Sequence, residues 1–522
     1  MSMRSVRFDM NQLARVAADA LAADRCVSIE KCPDGMYNKS YLFTMSDGRQ
    51  VIGKVPNPNA GIPHFTTASE VATMDFVRAI KLHSIFGFAD GLGGGPHRLR
   101  NSSTSADNPV GAEYIIMEKM PGVQLLQVWD QMALTDKLQV ITQLFKFQRM
   151  WLSARFGKIG SLYYADDVEA SAPDESHLFT DTNGTEVRNE RFAIGPTTGR
   201  DWIDEGRSLL KCDRGPWTSI SDYYQAVLQR EIDATKTARR LPKQMVMLCA
   251  PTLYLPTREK KLAVLESYAH VVRCLLPSDP LVCASHLWHS DLHDENIFVD
   301  PVNPTRIIGI IDWQSTQAGP LFENTIDPGI LDYDGPDIES LEKPTLPQKY
   351  KELIEADKAA EIKLYYSKSL LVAYRRLIQK NPSLKRTSEF QASTAFAILK
   401  LSRRIFEVGK AHVQALMSGL RLEWSDLTAV QQAGEPGFPL SLSVSELQRI
   451  ESDAEAADAG IQAMDEIRRR LGRYWPEKGA VQAQHYDETK RLLKQIKEEL
   501  LHEFAVDPEG MKVFEQFWPF DQ

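Results

Sequence analysis

No run of apolar residues in this 522-residue chain reaches the length of a membrane-spanning helix. Positive charge is not in surplus. The 61 Lys and Arg face 70 Asp and Glu, and a net charge of −9 argues against broad binding to nucleic acid or anionic membranes, which need basic surfaces. Cysteine is scarce: the six, at 26, 32, 212, 249, 274 and 283, make no tight metal-binding pair, so reduced thiols in an intracellular protein are expected. There is no internal repeat. A phosphate-cradling P-loop is also missing. Gly48-Arg49-Gln50-Val51-Ile52-Gly53-Lys54 has its glycine and lysine spacing, but Val55 stands where a magnesium-binding Ser or Thr is required, and Val51-Ile52 is strand chemistry.

What the chain does have is 43% hydrophobic residues, ample for a two-lobed core with accessories, and one chemically dense stretch. His289-Ser290-Asp291-Leu292-His293-Asp294-Glu295-Asn296 is followed by two short β-rich runs, 296–300 and 306–311, joined by Pro301-Val302-Asn303-Pro304-Thr305, whose prolines and asparagine favour a turn. This predicts a hairpin. Antiparallel partners run in opposite directions, so the start of the first strand and the end of the second meet at the open end, and Asn296 converges with Asp312. Mg²⁺ prefers hard oxygen ligands and is usually held by one or two protein groups plus substrate phosphates, which this carboxylate and amide supply. Asp291, five residues before Asn296 on a loop, is free to accept a hydroxyl proton. Phosphoryl transfer asks the protein mainly to position groups and neutralise charge, so the three side chains cover most of what that chemistry needs.

The pattern His-x-Asp-x-x-x-x-Asn with a later Ile311-Asp312-Trp313 resembles the aminoglycoside phosphotransferase and choline kinase group of the protein-kinase-like superfamily. Within it, the chain resembles the fungal type called altered inheritance of mitochondria protein 9, through Gly35-Met36-Tyr37-Asn38-Lys39, Ala68-Ser69-Glu70-Val71-Ala72-Thr73-Met74, Asn108-Pro109-Val110-Gly111-Ala112-Glu113-Tyr114, Ile194-Gly195-Pro196 and Asp213-Arg214-Gly215-Pro216-Trp217. The resemblance implies an α+β, protein-kinase-like two-lobed fold: a small antiparallel-sheet lobe, a large mainly helical lobe and extra C-terminal helices. It implies ATP and Mg²⁺ as cofactors and a small-molecule hydroxyl as acceptor. It also implies that Lys54 contacts the α- and β-phosphates with Glu70 as its ion-pair partner, that the backbone of Glu118 and Met120 meets the adenine, and that His289 braces its loop rather than acting as a base. His293 is read as satisfying backbone groups.

Around those residues, 40–45 and 50–55 predict a second hairpin about the turn Ser46-Asp47-Gly48. Gly35 and Asn38, just before it, are candidates for the turn that covers the phosphates, with an ordinary hairpin glycine as the alternative. The chain departs from the family at 81–106, where a glycine-rich run and a polar tract read as flexible loop and leave one small-lobe strand in doubt. Apolar residues recur at helical intervals over 8–23, 123–156, 222–232 and 259–276, the last three assigned to the large lobe, while 164–200 reads as an irregular insertion. The expected division is 1–120 for the nucleotide lobe, 121–346 for the catalytic lobe and 347–522 for a helical extension packed on it. In that extension Ser443-Val444-Ser445-Glu446 is a capping-box signature, and Leu447, Ile450, Ala454, Ala457, Ile461 and Met464 form a stripe read as intramolecular packing.

Arg4, Arg7, Arg15 and Arg25 hint at a mitochondrial presequence, but Asp9, Asp19 and Asp24 interrupt them, so the cytosol is favoured with mitochondria as the alternative. The acidic residues Glu323, Asp327, Asp332, Asp334, Asp337 and Glu339 keep open a cationic acceptor. A catalytically weak or inactive pseudokinase, a nucleotide-binding scaffold whose C-terminal helices hold a protein partner, is the alternative function.

Overall fold

Alternating apolar residues on either side of Ser46-Asp47-Gly48 build the first hairpin. In the computed structural model, β2 (Asn38–Met45) and β3 (Gln50–Pro56) pair antiparallel. Gly48 closes the turn at φ +84°, a left-handed conformation glycine adopts without steric cost, and the Asp47 carboxylate accepts the Arg49 N–H at 2.9 Å. The structure describes all residues except 1–4, 34, 84–98, 169–176, 243–255, 348–349, 476–480, 482–484, 505–506 and 521–522. It divides into two compact units: Met1–Ile203, Arg214–Ile220 and Asp279–Phe390 in the first, and Asp204–Asp213, Ser221–Ser278 and Gln391–Gln522 in the second.

In the first unit β2 and β3 belong to a five-stranded antiparallel sheet with β1 (Cys26–Lys31), β4 (Leu99–Ser103) and β5 (Tyr114–Glu118), in the order β1-β2-β3-β5-β4. Phe43, Met45, Val51, Val55, Tyr114 and Ile116 pack against Leu13, Ala17, Ala18 and Leu21, so the amphipathic segment predicted over 8–23 contributes helix α1 (Met10–Ala20) to this core. Asp9 caps α1 by accepting the N–H groups of Asn11 and Gln12. Gly53 sits inside β3 because a Cβ there would come 2.6 Å from the Phe43 ring, which is a packing requirement and not a phosphate loop. The polar tract expected to be loop contains β4, paired to β5 with a bulge between Leu99 and Asn101. An edge strand needs backbone partners more than apolar side chains, which is why its sequence is a weak signal. The glycine-rich run expected over 86–96 lies outside the described residues. Helix α2 (Phe65–His83) follows β3, and Glu113 accepts from the His64 N–H and the Thr67 hydroxyl, at 2.7 and 2.5 Å, tying the start of α2 to β5.

After β5 come β6 (Val123–Gln124), α3 (Leu126–Trp129) and α4 (Leu134–Trp151), then short strands β7 (Arg155–Phe156), β8 (Ser161–Tyr164), β9 (Phe179–Thr180), β10 (Glu186–Val187), β11 (Phe192–Gly195), β12 (Ser285–Leu287), β13 (Ile297–Val299), β14 (Ile307–Ile310) and β15 (Ala318–Pro320). They form the sheets β10-β9-β7-β12-β15, β11-β8 and β14-β13-β6. The stretch 164–200 is therefore less irregular than its composition predicts. β9 and β10 make a hairpin around Gly184, and β11 returns along β8, with backbone bonds supplying an order that two- to four-residue strands do not announce in sequence. A core of Val140, Ile141, Leu144, Trp151, Trp288, Ile297, Val299, Trp313 and Tyr374 lies behind the β13–β14 hairpin. The Tyr374 hydroxyl, on the helix Glu355–Ile378, lies 2.8 Å from the Ile326 carbonyl and 2.6 Å from Gln148 Oε1 on α4, with one proton to share between them, and residues 350–390 belong to this unit.

The second unit is helical. Ile220–Thr237 and Arg258–Leu275, predicted for the large lobe, cluster instead with 391–522, and the units cut across the three-part division expected from sequence. Amphipathic spacing says that a helix buries a face, not which partner covers it. The capping box at Ser443 and Glu446 is present on Val444–Leu471. That helix buries Ile450, Ala456, Ala457, Gly460, Ala463, Met464, Ile467 and Leu471 while Leu447 and Ile461 are exposed, so the predicted stripe is only partly correct. A straight helix drifts relative to a seven-residue repeat, and this one packs on Ala411–Gly419 along one part and on Tyr486–Phe504 along another.

Within this unit Glu231 is fully buried and accepts from Arg207 at 2.9 Å and from the Phe406 N–H at 2.9 Å, while the Lys261 ammonium donates to the Phe406 carbonyl. Burial drives the Lys261 ammonium down to about 7, against the attraction of Glu231. The unfolded chain keeps that proton up to the ordinary lysine value of about 10.4, so it binds more protons between the two values and stability rises with pH across that window. Lys261→Met should remove this slope. Between about pH 7 and 9 the unfolding free energy of the wild type from urea titration is expected to rise more than that of the variant, by on the order of 1 kcal/mol per pH unit, and an equal rise in both would show that Lys261 does not carry it.

Candidate active site

β-Branched residues flanking a proline-rich turn make the second hairpin. Asp300 accepts from the N–H groups of Val302 and Asn303 to close the turn, and β13 pairs with β14. At the open end the Ile311 N–H donates to the Asn296 carbonyl at 2.9 Å, which brings Asn296 beside the residue preceding Asp312. Asp312 has φ +63°, a left-handed conformation uncommon for residues with a side chain and better tolerated by Asp and Asn than by most. There its Oδ1 accepts from Lys54 Nζ at 2.8 Å, and the same ammonium donates to Glu70 Oε1 at 2.6 Å. Lys54 comes from β3 and Glu70 from α2, so three elements far apart in sequence meet on one ammonium.

The electrostatics follow from burial and pairing. Burial opposes the charge of Lys54, yet Asp312 and Glu70 outweigh it and hold the ammonium above the ordinary lysine range. Glu70 is pushed up by burial despite Lys54, whereas Lys54 holds Asp312 below the usual carboxylate range in spite of burial. An unpaired charge here would be costly, which accounts for the two carboxylates on one lysine. The Asp312 side chain keeps 37% of its surface exposed, against 9% for Lys54, so the carboxylate is open to an incoming cation.

The loop from 289 to 296 is braced at both ends. His289 is buried, its Nδ1 accepts the Asp291 N–H at 3.2 Å and its Nε2 lies 2.9 Å from the Ile311 carbonyl. With Nδ1 an acceptor, Nε2 carries the proton, and burial pushes the ring toward the neutral form. Asn296 Nδ2 donates to the Asp291 carbonyl at 2.9 Å, and its Oδ1 has no hydrogen-bond partner among the described residues. His293 Nε2 lies 3.3 Å from Asp291 Oδ2. That hydrogen bond holds Asp291 below the usual carboxylate range, so it is ionised at neutral pH, and the side chain is 64% exposed. A histidine read as merely structural thus touches the candidate base. The His-x-Asp-x-His spacing was the available signal, but only the loop conformation brings the two side chains together.

Of the other sequence candidates, Asn38 is tied to this centre through Gln314. Asn38 begins β2 and donates to Gln314 Oε1 at 2.6 Å, two residues after Asp312. At Gly35 a Cβ would meet only the Asn38 carbonyl at 3.6 Å, an ordinary contact, so nothing there requires glycine. Glu118 ends β5 opposite Val51, and Met120 is buried just beyond it. Gly122, at φ +107°, then lets the chain run against the hairpin, where a Cβ would collide with the Val299 carbonyl, and β6 pairs with β13. β6, not β5, is thereby laid beside β13, and Gln124 Nε2 donates to the Glu295 carbonyl at 2.9 Å, next to Asn296. Sequence reasoning missed Gln314, whose amide bridges distant segments.

A model of the phosphotransferase enzyme family, APH, matches residues 28–324, more than half of the chain. The chain belongs to this family. It is 30% identical over 363 residues to a subtelomeric hrmA-associated cluster protein of Aspergillus fumigatus, covering 63% of this chain and 65% of that one. It is 25% identical over 359 residues to altered inheritance of mitochondria protein 9, mitochondrial, of Candida tropicalis, covering 65% and 55%. The chain therefore spans less than two thirds of the length of these relatives. Among solved structures, aminoglycoside phosphotransferase APH(4)-Ia is 12% identical with a TM-score of 0.35, covering 85% of this chain and 99% of that one. The family resemblance drawn from the motifs is correct, and the α+β protein-kinase-like fold that belongs to it appears here as an antiparallel five-stranded sheet, a following helical region and C-terminal helices. Among the described residues no helix is long and apolar enough to cross a membrane.

Proposed function

We propose that this phosphotransferase-family protein transfers the γ-phosphoryl group of ATP, with Mg²⁺, to a hydroxyl of a small molecule. The observation that carries the reading is the meeting of Lys54, Glu70 and Asp312 on one ammonium, beside a loop that holds an ionised Asp291 and an Asn296 whose Oδ1 is available. The two oxygens, a carboxylate and an amide, fit a hard divalent cation that takes its remaining ligands from phosphates and water. When bound, that cation neutralises charge on the β- and γ-phosphates.

The residues then divide the work. Lys54 pairs with the α- and β-phosphates, and Glu70 keeps it in place when Asp312 turns to the metal. Asp291 takes the acceptor's proton as the oxygen-to-phosphorus bond forms and the bridging bond to ADP breaks, and His293 keeps the carboxylate ionised and oriented. Glu118 and Met120 offer backbone to the adenine, and Asn38, with Gly35 before it, covers the phosphates. The acceptor is a small molecule of unassigned class. Of the acidic residues that suggested a cation, Asp327 is already paired with Arg375 at 3.1 Å, which leaves less charge for such a ligand. The name of the Candida relative calls that protein mitochondrial, which supports mitochondria over the cytosol for this chain.

Thermal unfolding with ATP, with and without Mg²⁺, followed by transfer of labelled γ-phosphate to a metabolite pool, tests the reading. Mg²⁺-dependent stabilisation with transfer supports it. Stabilisation without turnover favours the pseudokinase scaffold, in which the C-terminal helices hold a protein partner, and no stabilisation by any nucleoside triphosphate rejects both.

A further inference from the structure

We infer that Gln314, Asn38 and Arg200 form a polar clasp on the carbonyl of Ala60 that positions the phosphate-covering turn against the metal-binding carboxylate. The inference rests on the phosphotransferase reading and names two positioning residues, Gln314 and Arg200, which that reading leaves without a role. Gln314 is buried, and its amide is used at both ends: Oε1 accepts from Asn38 Nδ2 at 2.6 Å, and Nε2 donates to the Ala60 carbonyl at 3.0 Å. Arg200 donates through Nη1 to the same carbonyl and to that of Asn59, each at 3.1 Å, and its guanidinium lies 3.9 Å from the centre of the Tyr37 ring. The turn is held from the other side by Asn57, whose Nδ2 donates to the Met36 carbonyl at 2.9 Å and whose N–H donates to the Tyr37 carbonyl at 2.8 Å.

The chemistry at 314 is specific. A buried group here must accept from one neighbour and donate to another, which the two ends of an amide do at this reach: ionised glutamate cannot donate, lysine cannot accept, and leucine leaves both partners unsatisfied. Because Gln314 lies two residues after Asp312, the clasp sets the spacing between the carboxylate that would hold the metal and the start of β2. Arg200 locks the second lone pair of the Ala60 carbonyl and brings a fixed positive charge to the edge of the turn. All of these contacts bear on the turn proposed to cover the phosphates, and none of them involves the end of β5 that would meet adenine.

The test compares Mg²⁺-ATP with adenosine, which lacks phosphates, by calorimetric titration of the full chain. Gln314→Leu and, as a variant at a less buried residue, Arg200→Met are each expected to weaken Mg²⁺-ATP by about tenfold and adenosine by less than about twofold. In Asn38→Ala combined with Gln314→Leu, the loss should be no larger than in Gln314→Leu alone, since contacting residues that act as one unit are non-additive. Equal weakening of adenosine, unchanged Mg²⁺-ATP affinity in both single variants, or additive losses would overturn the clasp while leaving the phosphotransferase reading intact. A wild-type protein that binds adenosine but not Mg²⁺-ATP would overturn both.

Discussion

Asp312→Ala is expected to abolish Mg²⁺-dependent binding of ATP. The side chain is the only carboxylate of the proposed metal pair, and the remaining amide of Asn296 is a weak ligand by itself. The fold should survive, because Lys54 keeps Glu70 at 2.6 Å and its charge stays matched in the buried site. What disappears is the gain in affinity on adding Mg²⁺, expected to fall by about a hundredfold or more, since even partners one shell removed from a metal cost 10–100-fold. Asp312 sits at φ +63°, where alanine is strained but asparagine is tolerated, so Asp312→Asn separates loss of the ligand charge from loss of the backbone geometry. Titration calorimetry with MgCl₂ and with chelator reads the effect directly. Unchanged metal dependence in both variants would remove Asp312 from the metal site.

Asp291→Ala is expected to leave nucleotide binding intact and stop transfer. Asp291 reaches none of the Lys54 cluster through a hydrogen bond; its ties run to His293 and Asn296. Removing a positioned proton acceptor typically costs about 10²–10⁴-fold in rate, so a fall of about a thousandfold is the expected size. His293 holds Asp291 in its ionised form, and the half-exposed carboxylate contributes little to stability, so the variant should unfold close to the wild-type temperature. Single-turnover transfer from labelled ATP, measured alongside ATP affinity, distinguishes the outcomes. A variant that transfers phosphate at the wild-type rate would show that Asp291 is not the base, and one that loses ATP affinity would place it in nucleotide binding.

The parts of this molecule that were legible in its sequence share one property: their signals are local. The β2–β3 and β13–β14 hairpins, the capping box at Ser443 and the helix over 10–20 are each specified by residues within one or two turns of chain. The edge strand β4 was hidden because pairing to β5 uses backbone groups that every residue carries. The short strands of 164–200 were hidden for the same reason. His293 and Gln314 looked like ordinary loop polars, and their importance comes from what folding brings to them: a carboxylate two residues away turned toward the ring, and an amide and a carbonyl more than 250 residues away in sequence.

From residue order alone come the family, the hairpin whose open end joins Asn296 to Asp312, and the kind of chemistry those oxygens can serve, because spacing along a strand dictates which groups share an end. Tertiary structure alone decided that Lys54, expected to pair with Glu70, answers to Asp312 as well, that Ile220–Thr237 and Arg258–Leu275 pack with the C-terminal helices, and that one carbonyl, at Ala60, gathers Gln314 and Arg200. Local propensity fixes what an element is, but which buried charge or amide finds which partner depends on long-range packing, and a linear pattern carries no distance between residues far apart in the chain.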